Sequence, residues 1–334
     1  MKTLTWSLLA LVLLVAAWGA WWLADHARPR HDVFVERRGH EVTAHLDEVR
    51  HEPGGFISQA VRLRADSGLV VDARVLRPAL QHGPLPVVVL LGGYRTGHDA
   101  VDLVGHPGTA VMVALDYPYH GEIRIDSAAS FVRGTRDIQQ ALLDTPPAAS
   151  VVLDWLARHE WADSEHAELV GVSFGVPFAA VAGALDPRFQ RVWLIHGGAG
   201  NRGWIEHNLR DRVPQAWLRP VAASLLHLLV YGASFDTEDW VARIAPRPVV
   251  VIGARNDERL PEHKVENIYR AAGEPRELIW TEGGHVDPRR PDLVQMLLDI
   301  VRNRIAMPPE SRRDTPASQP TAVLPGLPGN ASLQ

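Results

Sequence analysis

The sequence contains no cysteine, and Lys2 and Lys264 are its only lysines. The absence of cysteine excludes disulfides, thiolate catalysis and cysteine-ligated zinc together. The formal net charge is -5, and no basic run interleaves with aromatic residues, so the chain has no electrostatic footprint for nucleic acid. We therefore expect no nucleic-acid partner, no cofactor and no metal ion.

The first 30 residues depart from a soluble composition. Residues 6–24 are apolar except for Ser7, with Lys2 before them and arginines after them. Three tryptophans lie at the distal end, where an aromatic belt meets the membrane interface, and Ala17-Trp18-Gly19 is a poor match to a cleavage site. Residues 1–30 are thus expected to be a membrane anchor or signal segment.

Three readings of this segment stay open at the level of sequence. We favour a single uncleaved N-terminal span over a cleaved signal, which would give a secreted form, and over a buried helix of the soluble domain. The arginines that follow the segment favour a cytoplasmic catalytic domain by the positive-inside tendency, whereas ordinary export places that domain outside. We expect an extracytoplasmic domain.

Short apolar runs alternate with longer helical segments over residues 31–306, which is typical of a mostly parallel sheet with helices on both faces. We expect one domain with eight strands and four principal helices. The expected strands cover residues 56–63, 70–77, 86–91, 110–115, 169–172, 192–195, 248–252 and 277–280. The expected helices cover residues 137–160, 174–185, 262–272 and 292–305.

Two regions interrupt or follow this alternation. Residues 200–244 are helical and tryptophan-bearing with no clear strand, and an insertion there would lie over the carboxyl ends of the strands, so we expect a helical lid. Residues 307–334 carry many prolines among Ser, Thr and Gly. Such a stretch buries too little apolar surface to offset its ordering entropy, so it is expected to be a disordered tail.

The motif with the clearest chemistry is Gly171-Val172-Ser173-Phe174-Gly175. G-x-S-x-G alone recurs by chance, but here an apolar strand precedes it and a helix follows. A sharp turn between strand and helix raises a serine hydroxyl above the sheet, where it can act as a nucleophile. We expect Ser173 to be that nucleophile.

A serine hydroxyl needs a base, and the base needs an acceptor that fixes its tautomer. His285 follows the last predicted strand after paired glycines, and Asp257 lies beyond the preceding one. The order Ser, Asp, His is that of a strand-turn-helix serine hydrolase. Glu258 is the adjacent competitor for the acid, and the spacing to Pro261 favours Asp257.

The segment from Ala245 through Pro261 to His285 resembles the C-terminal half of α/β-hydrolase esterases, closest to the dienelactone hydrolase and prolyl-oligopeptidase-like branch. The resemblance spans roughly residues 56–305 and implies the α/β-hydrolase fold. It also implies an oxyanion hole made by the backbone N–H groups of Phe174 and Tyr94. Many relatives carry His-Gly before that second donor, where this chain has Gly92.

These features predict a serine hydrolase that cleaves a carboxylic ester through an acyl-enzyme, with a small-molecule ester, hydrophobic in character, as substrate. An acyltransferase or peptidase would use the same triad, since the fold does not choose the acceptor. A non-catalytic, membrane-anchored binding module on the same scaffold is the alternative from another class.

Overall fold

The computed structural model describes residues 2–81, 83–93, 96–119, 121, 127–305 and 323–324. Ten helices lie within these residues. They are α1 Lys2–Ala27, α2 His31–Arg38, α3 Ala100–Val104, α4 Ala128–Leu156, α5 Val176–Leu185, α6 Asn201–Asn208, α7 Arg219–Leu229, α8 Thr237–Val241, α9 Glu262–Ala271 and α10 Pro291–Ile305.

One sheet contains all the strands of the described residues. They are β1 Val42–Leu46, β2 Arg50–Glu52, β3 Phe56–Ala65, β4 Val70–Pro78, β5 Leu85–Leu91, β6 Val111–Leu115, β7 Ala162–Val172, β8 Phe189–Ile195, β9 Val249–Ala254, β10 Arg276–Thr281 and β11 Val323–Leu324. Their order is β1-β3-β4-β6-β5-β7-β8-β9-β10-β11, with β2 beside β3. From β6 to β11 all neighbours are parallel, and the first strands are antiparallel.

The eight predicted strands and four predicted helices are all present, and the opening hairpin pairs as expected. The sheet has three more strands than the sequence predicted. β1 was not predicted, although Val42, Ala44 and Leu46 alternate with polar residues; the segment is short, four of its five residues are exposed, and its backbone pairs with β3. Helix α4 also begins nine residues earlier than predicted, at a capping box formed by Ser127 and Ser130.

Helices cover both faces of the sheet. In β5, Val87, Val89 and Leu91 belong to a core with α4 and α5, while Val88 and Leu90 belong to a second core with α3 and α10. This alternation follows from the two-residue period of a strand. The loops at the carboxyl ends of the parallel strands are thereby held on a rigid, doubly covered support.

The C-terminal end of α1 contacts the rest of the protein. The His26 ring lies 5.0 Å from that of Tyr231, and the Arg30 guanidinium stacks on the same tyrosine at 4.0 Å. The backbone N–H of Arg30 donates to the Ser234 hydroxyl at 2.9 Å. Within the described part of the chain, no single helix has both the length and the apolar composition to cross a membrane, although the bent pair Ala216–Leu229 and Gly232–Val241 meets both requirements jointly.

The expected helical insertion is helical, containing α6, α7 and α8. Its three tryptophans differ in environment: Trp240 is buried, Trp204 is half-buried and Trp217 is 73% exposed. Of the expected disordered tail, residues 323–324 form β11 beside β10, and the other residues of 307–334 lie outside the described part of the chain. The boundaries at 30, 200–244 and 307 therefore stay predictions.

Candidate active site

Ser173 lies on a strained turn between β7 and α5. Its φ is 53°, in the left-handed region that non-glycine residues seldom adopt, and a short 3-10 turn over Ser173–Gly175 leads into α5. A Cβ atom on Gly171 would lie 2.5 Å from the Cβ of Ala179, and one on Gly175 would collide with the Leu91 carbonyl oxygen. Both glycines of the motif are therefore required by close packing around Ser173.

The structure brings Ser173, Asp257 and His285 together from three loops at the carboxyl edge of the sheet. Ser173 Oγ lies 2.7 Å from His285 Nε2, and His285 Nδ1 lies 2.7 Å from Asp257 Oδ2. The side chains of His285 and Asp257 are 2% and 0% exposed. Since a carboxylate only accepts hydrogen bonds, Nδ1 carries the proton and Nε2 is left to accept the proton of the Ser173 hydroxyl.

Glu258, the competitor for the acid, contacts a different atom. Its carboxylate accepts the backbone N–H of His285 at 3.1 Å, while Asp257 Oδ1 accepts the backbone N–H of Arg259 at 2.9 Å. Asp257 thus contacts the imidazole ring, and Glu258 holds the backbone that carries it. We call residues 255–261, which contain both carboxylates, the acid loop.

His196, at the end of β8, is a fully buried neighbour of His285. Its φ is 53°, its ring centroid lies 5.7 Å from that of His285, and its Nδ1 accepts the backbone N–H of Val286 at 2.9 Å. Burial, and next the charge of His285, lower the pKa of His196 to about 4. His196 is therefore neutral near pH 7, and its accepting Nδ1 steadies the loop that carries His285.

These groups also have the spacing of a small metal site. Ligand atoms of His196, Asp257 and His285 lie within 4.8 Å of one another. Both ring nitrogens of His285 are already engaged, by Ser173 and by Asp257, so neither offers a free lone pair. The donor set fits a proton relay better than a metal centre.

Of the two expected oxyanion donors, Tyr94 lies outside the described residues, and Phe174 directly follows Ser173 with its ring 5.2 Å from that of Tyr117. The turn that leads to Tyr94 is held by hydrogen bonds. The Tyr117 hydroxyl donates to the Gly92 carbonyl at 2.5 Å, and the Thr96 hydroxyl donates to the Gly93 carbonyl at 2.9 Å. These bonds hold Gly92 and Gly93, and we call these two residues the oxyanion turn, after the role predicted for the loop that they begin.

No role was predicted from the sequence for Tyr117, which lies two residues after β6. His120 lies outside the described residues, and the Tyr119 hydroxyl is buried with no hydrogen-bond partner among the described atoms. Burial raises the pKa of Tyr117, so its hydroxyl stays protonated and remains a donor. The sequence feature that could have indicated this role is the position of Tyr117 just after β6, at the carboxyl edge of the sheet.

Comparison with known proteins gives a family match and many structural matches. The Abhydrolase family model matches residues 141–286, a range that contains Ser173, Asp257 and His285. No curated relative matches the sequence.

Three solved structures are similar over most of their length. An acetyl xylan esterase from Paenibacillus sp. R4 is 17% identical with a TM-score of 0.62, covering 80% of this chain and 92% of that one. Acetyl xylan esterase 1 from Thermoanaerobacterium sp. JW/SL YS485 is 15% identical with a TM-score of 0.58, covering 84% and 93%. A cold-adapted esterase from an Arctic intertidal metagenomic library is 15% identical with a TM-score of 0.51, covering 78% and 99%.

At these identities the structural matches establish the fold. They specify no branch of the superfamily, so the resemblance to the dienelactone hydrolase and prolyl-oligopeptidase-like branch stays a prediction. The chain therefore has the fold of the α/β-hydrolases, and over residues 141–286 it is similar to the Abhydrolase family.

Proposed function

We propose that the protein is a carboxylesterase-like serine hydrolase with Ser173 as nucleophile, His285 as general base and Asp257 as the orienting acid. The observation that carries this proposal is the continuous pair of 2.7 Å hydrogen bonds from Ser173 Oγ through the His285 ring to Asp257. The strained backbone of Ser173 supports it further, because such strain is typical of the nucleophile in this fold.

In the first step, Ser173 Oγ bonds to the acyl carbon while its proton passes to His285 Nε2, and the carbonyl electrons move onto oxygen. The backbone N–H groups of Phe174 and Tyr94 stabilise that oxyanion. Collapse of the tetrahedral intermediate breaks the bond to the alcohol oxygen, which takes the proton from His285. Water then gives a proton to His285 as its oxygen bonds to the acyl carbon. The bond from that carbon to Ser173 Oγ breaks, and the proton on His285 passes to Oγ, which releases the carboxylic acid and free Ser173.

Esters are the favoured substrates because the similar structures are named as esterases of several kinds. The acyltransferase and peptidase readings share the triad and differ only in the acceptor or leaving group. Product analysis with added alcohols and amines separates them: we expect the free carboxylic acid as the main product at low alcohol concentration.

Activity on p-nitrophenyl esters tests the proposal, with Ser173→Ala as the variant and Ser164→Ala as a matched control. Ser164 is a buried serine of β7, at the opposite end of that strand. We expect Ser173→Ala to lose at least about 1,000-fold in kcat, because without the nucleophile only binding and the oxyanion hole remain. Turnover by Ser173→Ala close to that of the control contradicts the mechanism.

The insertion is proposed to act as a lid on the acid side of the site. Three contacts join the end of α6 to the acid loop: His207 Nε2 donates to the Glu258 carbonyl at 3.2 Å, Arg210 donates to the same carbonyl at 3.1 Å, and Asn208 donates to the Arg259 carbonyl at 3.3 Å. The variant Arg210→Ala, which removes one of these donors, is expected to raise KM more than it lowers kcat. An unchanged KM contradicts a lid.

We also propose that the N-terminal helix attaches the protein to a membrane, with the catalytic domain extracytoplasmic. Leu14 and Trp18 of α1 are 68% and 62% exposed, and a continuous apolar surface of this kind normally has an apolar partner. Trp217, Val221 and Leu225, spaced four residues apart along α7 and the turn before it, are also more than half exposed. Together they form a second apolar stripe close to where α1 docks.

Membrane fractionation of cells that express the full chain tests this attachment. The protein is expected in the membrane fraction after a carbonate wash, and protease added to intact cells or spheroplasts is expected to digest the domain. Recovery of the full-length protein in the soluble fraction contradicts an anchor, and protection from protease contradicts the extracytoplasmic side.

A further inference from the structure

An apolar cavity of about 170 Å³ opens beside Ser173 and extends between the sheet and the helices α3 and α10. Its polar side chains, among the described residues that line it, are those of Ser173, Thr96 and Arg259, and all three belong to loops at the carboxyl edge of the sheet. The interior is lined by aliphatic side chains of the sheet, of α3 and of α10, including Leu90, Val170, Ile195, Val104, Leu297 and Val301.

We propose that this cavity binds the acyl chain of the substrate, and that the enzyme prefers straight-chain acyl groups of about four to eight carbons. We call the cavity the acyl pocket. This inference rests on the proposed esterase function, and it goes further because it names the part of the substrate that the cavity holds.

The position of the pocket favours the acyl chain over the alcohol. The pocket begins at Ser173 and at Gly92 and Gly93 of the oxyanion turn, which are the groups nearest the carbonyl of a bound ester. The leaving oxygen must face His285 Nε2 to take its proton, and His285 is not among the residues that line the pocket. Among the described residues, none of the insertion 200–244 lines it either, which leaves the side beneath the lid for the alcohol.

The size of the pocket sets the length of the chain. A cavity of about 150 Å³ in another protein holds benzene, so 170 Å³ holds roughly six carbons. Its lining runs from Val294 to Val301 along α10, which at the helical rise is a depth of about 10 Å. Val104 and Val301, the last residues of α3 and α10 in this lining, are 1% and 4% exposed, so we take them as the far end of the pocket.

An acetyl group would leave most of this apolar surface unfilled. Each methylene transferred from water into an apolar site favours binding by about fourfold, and the gain is retained in the transition state when the acyl chain stays in place. Lengthening the chain from acetyl to hexanoyl is therefore expected to raise kcat/KM by at least about tenfold. Chains longer than octanoyl exceed the pocket, and kcat/KM falls.

The test is a panel of p-nitrophenyl esters from acetate to dodecanoate with four proteins: the wild type, Leu297→Ala, Val301→Phe and Ile300→Ala. Leu297→Ala enlarges the pocket and is expected to move the optimum at least two carbons longer. Val301→Phe fills its far end and is expected to move the optimum to butyrate or shorter. Ile300 is buried on the same helix but does not line the pocket, so Ile300→Ala is expected to keep the wild-type optimum.

A wild-type profile that is flat or highest at acetate overturns the inference, as does an equal shift in Leu297→Ala and Ile300→Ala. If a pocket variant fails to fold, the rates at which alkyl fluorophosphonates of increasing chain length inactivate the wild type decide the same question. Failure of the esterase function itself is distinguishable: it appears as full turnover by Ser173→Ala, whereas failure of the acyl pocket leaves turnover dependent on Ser173 with an acetyl preference.

Discussion

The two sides of Ser173 differ in chemistry. On the acid side, His285 bonds to Asp257 and Ser173 through its ring and to Glu258 through its backbone N–H, at 2.7 to 3.1 Å. On the pocket side, the walls are aliphatic, and the polar groups are confined to the mouth. The acid side is built for directed proton movement, which requires fixed angles, and the pocket side for adaptable contact with a chain of methylenes.

This difference predicts how substitutions act. A change in the triad or in the hydrogen bonds that hold it alters kcat, because these bonds orient groups that move protons in the transition state. A change on the pocket side alters the choice among acyl chains and leaves the chemistry intact. The predictions below test that division, from the largest expected effect to the smallest.

The variant Asp257→Asn is expected to lower kcat by about 10,000-fold, because an amide presents a donor as well as an acceptor to Nδ1 and permits the wrong tautomer of His285. Steady-state kinetics on the preferred ester measures the loss. A loss of less than about tenfold would indicate that a carboxylate other than Asp257 orients His285.

The free energy of unfolding is expected to decrease as the pH is lowered, because His196 is kept neutral in the folded protein. The folded protein keeps this histidine neutral, with its pKa at about 4, whereas the unfolded chain protonates it below about 6.5, so the unfolded state binds more protons between these values. The contribution is complete above pH 6.5 and is lost as pH falls towards 4. Between pH 7 and 4.5 this one group accounts for a loss of about 2 to 3 kcal/mol in the free energy of unfolding.

The variant His196→Asn isolates that contribution, because asparagine tolerates the positive φ and its amide oxygen accepts the backbone N–H of Val286 without titrating. Urea unfolding at pH 7 and 4.5 is expected to show a smaller loss in His196→Asn than in the wild type. The groups that act on the His196 charge, His285, Asp257 and Glu258, are the same in both proteins. Equal losses would exclude His196 as the source.

The variant Tyr117→Phe is expected to lower kcat by about tenfold with little change in KM. It removes the hydroxyl that donates to the Gly92 carbonyl, so the oxyanion turn is held less rigidly. The backbone N–H groups of the turn are retained. Direct loss of an oxyanion donor costs about 100-fold or more, and an indirect effect is smaller. A rise in KM at constant kcat would place Tyr117 in substrate binding instead.

The variant Glu258→Gln is expected to have the smallest effect, a few-fold loss of kcat. The glutamine oxygen still accepts the backbone N–H of His285, so the loop that carries the base keeps its support. Comparison with Asp257→Asn in the same assay sharpens the distinction between the two neighbouring carboxylates. Similar losses in both variants would contradict it.

Much of the central sheet was predictable from sequence, because each buried parallel strand is a continuous apolar run. The two glycines of the Ser173 motif also mark the turn between β7 and α5. Ser173, Asp257 and His285 follow from their order and from the strands that precede them. The long-range contacts that hold them, such as the bond from Tyr117 to Gly92, were not predictable. They depend on which strand ends become neighbours in the sheet. Here β6 lies between β4 and β5, so the end of β6 that precedes Tyr117 lies beside the end of β5 that precedes Gly92.

Two further features were not predicted from the sequence. β1 was overlooked although its residues alternate apolar and polar, because an exposed run of five residues is a weak signal. The acyl pocket was not predictable because its walls are ordinary core residues in sequence, and only their arrangement leaves a space. The sequence predicts a helical lid over the site, whereas the apolar cavity beside Ser173 lies between α3, α10 and the sheet.

The central claim is that Ser173 is the activated nucleophile, and mass spectrometry after reaction with a fluorophosphonate tests it most directly. We predict one adduct per chain, mapped to Ser173, and its disappearance in Ser173→Ala and Asp257→Asn over the same reaction time. An unlabelled wild type, or an adduct on another residue, would contradict the account.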